Sequence, residues 1–168
     1  DEGGKYFIGH FPVRLHNFRK LTAEYGSTEL EDTLAWADDD HSLALLHTSR
    51  SAKMLGTETQ SVVQIVPVNH PAEALAAFPN GYFDCDLGPV DNYDLATVLS
   101  NRYGLSLFGV GASYLGFMSA EPFNADTAAR LAEFLSHIIY GYAGQRPLKD
   151  ILRERLIGQR EIYLRYTE

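Results

Sequence analysis

Cysteine is almost missing from this chain. Cys85 is the only one in 168 residues. A lone thiol builds neither an internal disulfide framework nor a cysteine-rich zinc site. That usage suits a reducing compartment, so a cytoplasmic location is expected. Long apolar runs are also absent. No stretch approaches the roughly 20 residues that span a bilayer, so no membrane partner is expected. The opening residues, DEGGKYFIGHF, have neither the basic n-region nor the apolar h-region of a signal peptide. Positive charge is in deficit. Lys and Arg number 14 against 22 Asp and Glu, for a formal net charge of -8. Such an acidic protein presents no broad basic surface, and nucleic acid is not an expected partner. Signatures of catalysis are lacking as well. The chain has no HExxH, GxSxG, CxxC, P-loop or zinc-finger pattern, and no internal repeat.

What is present is an ordinary globular composition with many aromatic rings. Tyr occurs 10 times and Phe 9 times, enough to fill a core or line a groove. The length favours a single globular domain over 1–168, with residues 1–12 as an extended arm. His16–Tyr25 reads as a short helix, with Phe18, Leu21 and Tyr25 on one side and Gly26 as its stop. Thr33–Ala37 and Leu43–Thr48 flank Asp38-Asp-Asp-His-Ser42 and read as a hairpin with a solvated turn. The three aspartates and His41 lack the alternating ligand spacing of a calcium loop. Val62–Val66 is rich in β-branched residues and predicts a strand, ended by Pro67. Pro71 and Glu73 then suit the first turn of a short helix, with His70 at its start.

The stretch Phe78–Met118 holds the densest chemistry. Pro79-Asn80-Gly81 signals a tight turn. In the extended segment that follows, Tyr82, Asp84 and Asp86 alternate with Phe83, Cys85 and Leu87. That alternation places the acids toward water and the thiol toward a core. Negative neighbours also disfavour a reactive thiolate. Asp91 and Asn92 offer N-caps, and Asp94 suits the first turn of a helix carrying Leu95, Val98, Leu99 and Tyr103. Gly104 stops it. Leu105–Phe108 and Tyr114–Met118 read as strands around Gly109-Val-Gly-Ala-Ser113. A phosphate-binding glycine loop would open into a helix, so this one is read as a hairpin turn.

Further on, Asn124 caps a long amphipathic helix carrying Leu131, Leu135 and Ile138, with His137 beside its apolar stripe. Pro147 opens another helix, with Ile151, Leu152 and Leu156 inward. Arg160–Thr167 alternates as a final strand with Ile162, Leu164 and Tyr166 on one face. Arg146, Lys149, Arg153, Arg155, Arg160 and Arg165 make this end locally basic, which reads as solvated surface.

The element order predicts an α+β, or irregular α/β, single domain with a mixed β-sheet and helices packed on at least one face. The function expected is a small binding or interaction domain. Tyr82, Asp84, Asp86, Asp91 and Asp94 form its candidate surface for a protein partner or a small polar ligand. Two alternatives accompany it. One is a hydrolase or transferase that divides acid and base roles between these carboxylates. The other is a homo-oligomeric structural protein. No cofactor is implied; a divalent cation is the ion such carboxylates would hold.

Overall fold

A computed structural model of the chain describes residues 9–26, 30, 63–81, 87–111, 114–139 and 147–166. The expected hairpin over 33–48, the residues around His41, the segment Tyr82–Asp86 with Cys85, and most of the N-terminal arm lie outside the described residues.

Helix α1 spans Phe11–Tyr25. It starts earlier than the apolar spacing suggests and takes in the end of the expected arm. Pro12 is the reason, since a proline in the first turn loses no helical hydrogen bond. Leu15 and Phe18, one turn apart, are the buried anchors. The Phe18 ring meets Tyr93 edge-on at 5.5 Å.

Residues 63–68 form no strand. Val63 is 90% and Ile65 96% exposed, while Val68 packs against the core. A β-branched run becomes a strand only when a neighbouring strand or packed face receives it. None of the described strands pairs with this one. The short helix after it is present as a 3₁₀ helix, Pro71–Ala77. Its small side chains Ala72, Ala76 and Ala77 are buried, and it packs on α1, on the helix Pro89–Tyr103 and on the strand Leu105–Val110.

Helix α2 spans Pro89–Tyr103 and ends at Gly104, whose φ of 67° is the left-handed C-terminal stop. Its start corrects the sequence expectation. Gly88, not Asp91 or Asn92, is the N-cap, because Pro89 already fits the first helical turn. Strands β1 (Leu105–Val110) and β2 (Tyr114–Ser119) form the expected antiparallel hairpin, and β3 (Glu161–Arg165) lies antiparallel on the other side of β2. The described sheet has three strands in the order β1-β2-β3 and is antiparallel throughout, so the expected mixed sheet is corrected to an antiparallel one. The α+β class stands.

Leu105, Leu115, Phe117, Ile162 and Leu164 face the core. The opposite face is sparser. The register shifts between Leu107 and Gly109, leaving Phe108 as a bulge residue. Its ring lies over Gly116 and meets Tyr163 edge-on at 5.8 Å. A Cβ at Gly116 would stand 3.0 Å from the Phe108 ring. Glycine there lets the aromatic ring lie across the strand.

Helix α3 (Ala125–Ile138) is capped by Asn124, whose Oδ1 accepts from Thr127 N at 2.9 Å. Leu131, Leu135 and Ile138 are buried, as the spacing predicts. Helix α4 (Leu148–Leu156) packs along α3 and buries Leu152 and Leu156. The two ends of this helical pair are stitched together. Phe123 N donates to Gln159 O at 2.7 Å, and Gly158 N donates to Phe123 O at 2.9 Å.

Candidate functional site

The candidate stretch from Asn80 to Asp94 is anchored by two asparagines. Asn80 is 2% exposed, and its Nδ2 donates to Leu75 O at 3.3 Å and to Phe78 O at 3.1 Å. Its Oδ1 accepts from Asn92 Nδ2 at 3.0 Å. Asn92, fully buried on α2, also donates from Nδ2 to Leu87 O at 3.2 Å. Buried amides bonded in this way tie the end of the 3₁₀ helix to the start of α2. Gly81 and Leu87 consequently lie side by side. A Cβ on Gly81 would stand 2.3 Å from Leu87 O, and φ at Gly81 is 66°. Only glycine fits both the backbone angle and the close approach. Leu87 N in turn donates to Tyr166 O at 2.8 Å, which fastens the same point to the end of β3.

The five candidate residues separate on this frame. Tyr82, Asp84 and Asp86 fall in the sequence between Gly81 and Leu87 and lie outside the described residues. Asp91 sits in the first turn of α2, where its Oδ2 accepts from Gly88 N at 3.0 Å. That bond satisfies a backbone donor at the helix start, and a carboxylate suits the positive end of the helix dipole. Asp94 is buried on the next turn, with its Oδ1 3.2 Å from where a Cβ on Gly26 would stand. Asp91 turns back toward the preceding loop and Asp94 lies against the end of α1.

A second polar centre lies nearby, and the sequence reading did not single it out. Glu73 is buried on the 3₁₀ helix, yet charged. Arg19 of α1 grips it with both arms of its guanidinium, Nε to Oε1 at 2.6 Å and Nη2 to Oε2 at 2.8 Å. Asn69 N and His70 N donate to the same Oε2 at 2.9 and 3.3 Å. The Arg19 hydrogen bonds, helped by these two backbone donors and opposed by burial, hold the Glu73 carboxyl well below its ordinary 4.5, at about 2. His70 Nδ1 accepts from Ala72 N at 3.2 Å, completing a reciprocal cap in which side chains serve both ends of the turn. This bond requires Nδ1 to be bare, so the proton of the neutral ring sits on Nε2. Arg14 Nη1 donates to Ala77 O at 3.1 Å, so α1 holds the 3₁₀ helix at its far end too. His137 lies on the exposed side of α3, where Nδ1 is 2.7 Å from Glu133 O.

The His70–Glu73 spacing was a readable signal, since a polar cap followed three residues later by Glu is a helix-start pattern. Arg19, 54 positions from Glu73, and the Asn80–Asn92 pair left no such local mark. Among the described residues, no three His, Cys, Asp or Glu side chains gather to hold a metal ion. Also among the described residues, no helix is long and apolar enough to cross a membrane. Comparison with family models, with curated proteins and with solved structures finds no match for this chain.

Proposed function

We propose that the protein is a binding domain whose contact surface is carried by the residues between Gly81 and Leu87, with Tyr82, Asp84 and Asp86 reaching the partner. The observation that supports this reading is the anchored base of that stretch. Gly81 and Leu87 are held next to each other by Asn80, Asn92 and the end of β3. Recognition segments work best when a rigid scaffold fixes their ends, because less conformational entropy is lost on binding. Tyrosine between aspartates offers a large amphipathic ring beside charge, a composition suited to a protein or a small polar ligand with basic groups. Asp91 follows this stretch in the sequence and holds Gly88, while buried Asp94 lies against the end of α1. The bond from Gly88 N to Asp91 Oδ2 gives this carboxylate a structural part at the base of the stretch.

Site-specific photo-crosslinking tests the reading. A photoreactive phenylalanine at position 82 should give a discrete adduct in extracts of the native source. The adduct should vanish when Asp84→Lys and Asp86→Lys are combined. The same probe at Arg153, exposed on α4, should not give it. An adduct formed equally from both positions, or one indifferent to the charge reversal, would sink the proposal.

A further inference from the structure

Gly81 cannot be replaced without breaking the contact with Leu87, and the residue before it is asparagine. Asparagine followed by glycine is the pair most prone to deamidate, because no side chain shields the attacking amide. We propose that Asn80–Gly81 is a guarded modification site, one that stays intact while the Asn80–Asn92 clasp is closed and converts irreversibly once it opens.

The chemistry is self-contained. The Gly81 backbone nitrogen attacks Cγ of Asn80, a C–N bond forms, and the Cγ–Nδ2 bond breaks. Nδ2 departs as ammonia, taking the proton lost by the backbone amide. The resulting five-membered succinimide is opened by water at either carbonyl, giving an aspartyl or an isoaspartyl residue. No oxidant or reductant is needed.

The fold opposes this reaction at each stage. Nδ2, the leaving group, is engaged by Leu75 O and Phe78 O, so the carboxamide is aimed back along the chain. Oδ1 is held from the other side by Asn92. At 2% exposure, Asn80 is also shielded from the water that opens the ring. Cyclisation therefore needs the side chain released, and local opening sets its rate. Conversion is one-way for the structure too. A carboxylate at position 80 would set a charged oxygen where Nδ2 now meets two carbonyl oxygens, a buried repulsion that the Asn92 bond to the other oxygen does not relieve. An isoaspartyl link would also lengthen the backbone at the close approach of Gly81 to Leu87. Either product unties the base of the stretch that begins at Gly81.

The test follows the full chain at constant temperature and mildly alkaline pH. Peptide mapping by mass spectrometry reads the amide-to-acid mass gain at position 80, and chromatography separates the two products. The urea-unfolded chain should convert at least about tenfold faster than the folded one, the protection expected of a locally closed site. Asn92→Ala, shown to be folded by circular dichroism, should convert at an intermediate rate. Should that variant not fold, urea concentrations below the global transition serve instead, and conversion of the natural chain should already rise there. Equal rates in folded and unfolded chains would overturn the proposal. So would a folded Asn92→Ala protein that converts no faster than the natural chain, or conversion that tracks global unfolding alone.

Discussion

Replacing Glu73 by Gln removes one negative charge at the junction of α1 and the 3₁₀ helix and leaves the shape nearly unchanged. The Glu73 carboxyl titrates at about 2 in place of its ordinary 4.5. At about 1.4 kcal/mol per tenfold change in proton affinity, this gives a ceiling of about 3 kcal/mol. The Arg19 side chain is 43% exposed, so solvent screening lowers the expectation to about 1–2 kcal/mol. The sign follows from the direction. A carboxyl that gives up its proton more readily when folded contributes its full share above 4.5, and that share is lost as pH falls from 4.5 toward about 2. Urea unfolding of the natural chain and of Glu73→Gln, repeated at steps from neutral pH to about pH 2, should show a gap near neutrality that narrows over that window. A gap of constant size down to the lowest pH would refute the electrostatic account. It would mean that the substitution acts through altered packing or hydrogen-bond geometry at the junction and not through the lost charge.

Four further outcomes can be checked by thermal or urea unfolding. Gly81→Ala should cost more than Gly104→Ala: both have φ near 67°, but a Cβ at 81 also strikes Leu87 O, whereas nothing lies within 4 Å of one at 104. The left-handed angle alone costs about 1–2 kcal/mol, and equal losses would deny the close approach. Gly116→Ala should shift the Phe108 ring at a cost of about 1 kcal/mol or less, seen by NMR as altered ring-proton shifts of Phe108 and Tyr163. Unmoved ring signals would contradict the stacking. Asn124→Ala should lose about 1 kcal/mol as a missing N-cap, with Asn124→Asp retaining most of it. Leu131→Ala, in the core under α3, should lose about 2–5 kcal/mol, and a loss below 1 would misplace that residue.

The helices and the hairpin were largely readable from local pattern. Leu131, Leu135 and Ile138 recur at helical spacing and are buried, and Ile162 and Leu164 alternate and face the core. Such periodicities report burial directly. Val63 and Ile65 misled for the complementary reason. Their side chains favour an extended backbone, but pairing depends on a neighbour that local sequence cannot name. Asp91 misled at closer range. Its carboxylate does serve the helix start, but from inside the first turn, because Pro89 had already begun the helix. Asn80 and Asn92 show what lies beyond pattern altogether. Each reads alone as a turn or cap residue, and their meaning comes from a hydrogen bond that only the folded chain creates.

The stitch between Phe123 and Gly158 has a consequence for how this chain tolerates rearrangement. The chain leaves the sheet after β2 at Phe123 and re-enters it beside that point at Gly158, so removing the stretch between would leave a β2–β3 hairpin of ordinary connectivity. Topologically the helical pair is an insertion, with two ends suited to grafting or to relocated termini. Energetically it is nothing of the kind. Leu131, Leu135, Leu152 and Leu156 share one core with Phe117 and Ile162 of the sheet. A shortened chain would close its backbone easily and uncover the apolar face of its own strands.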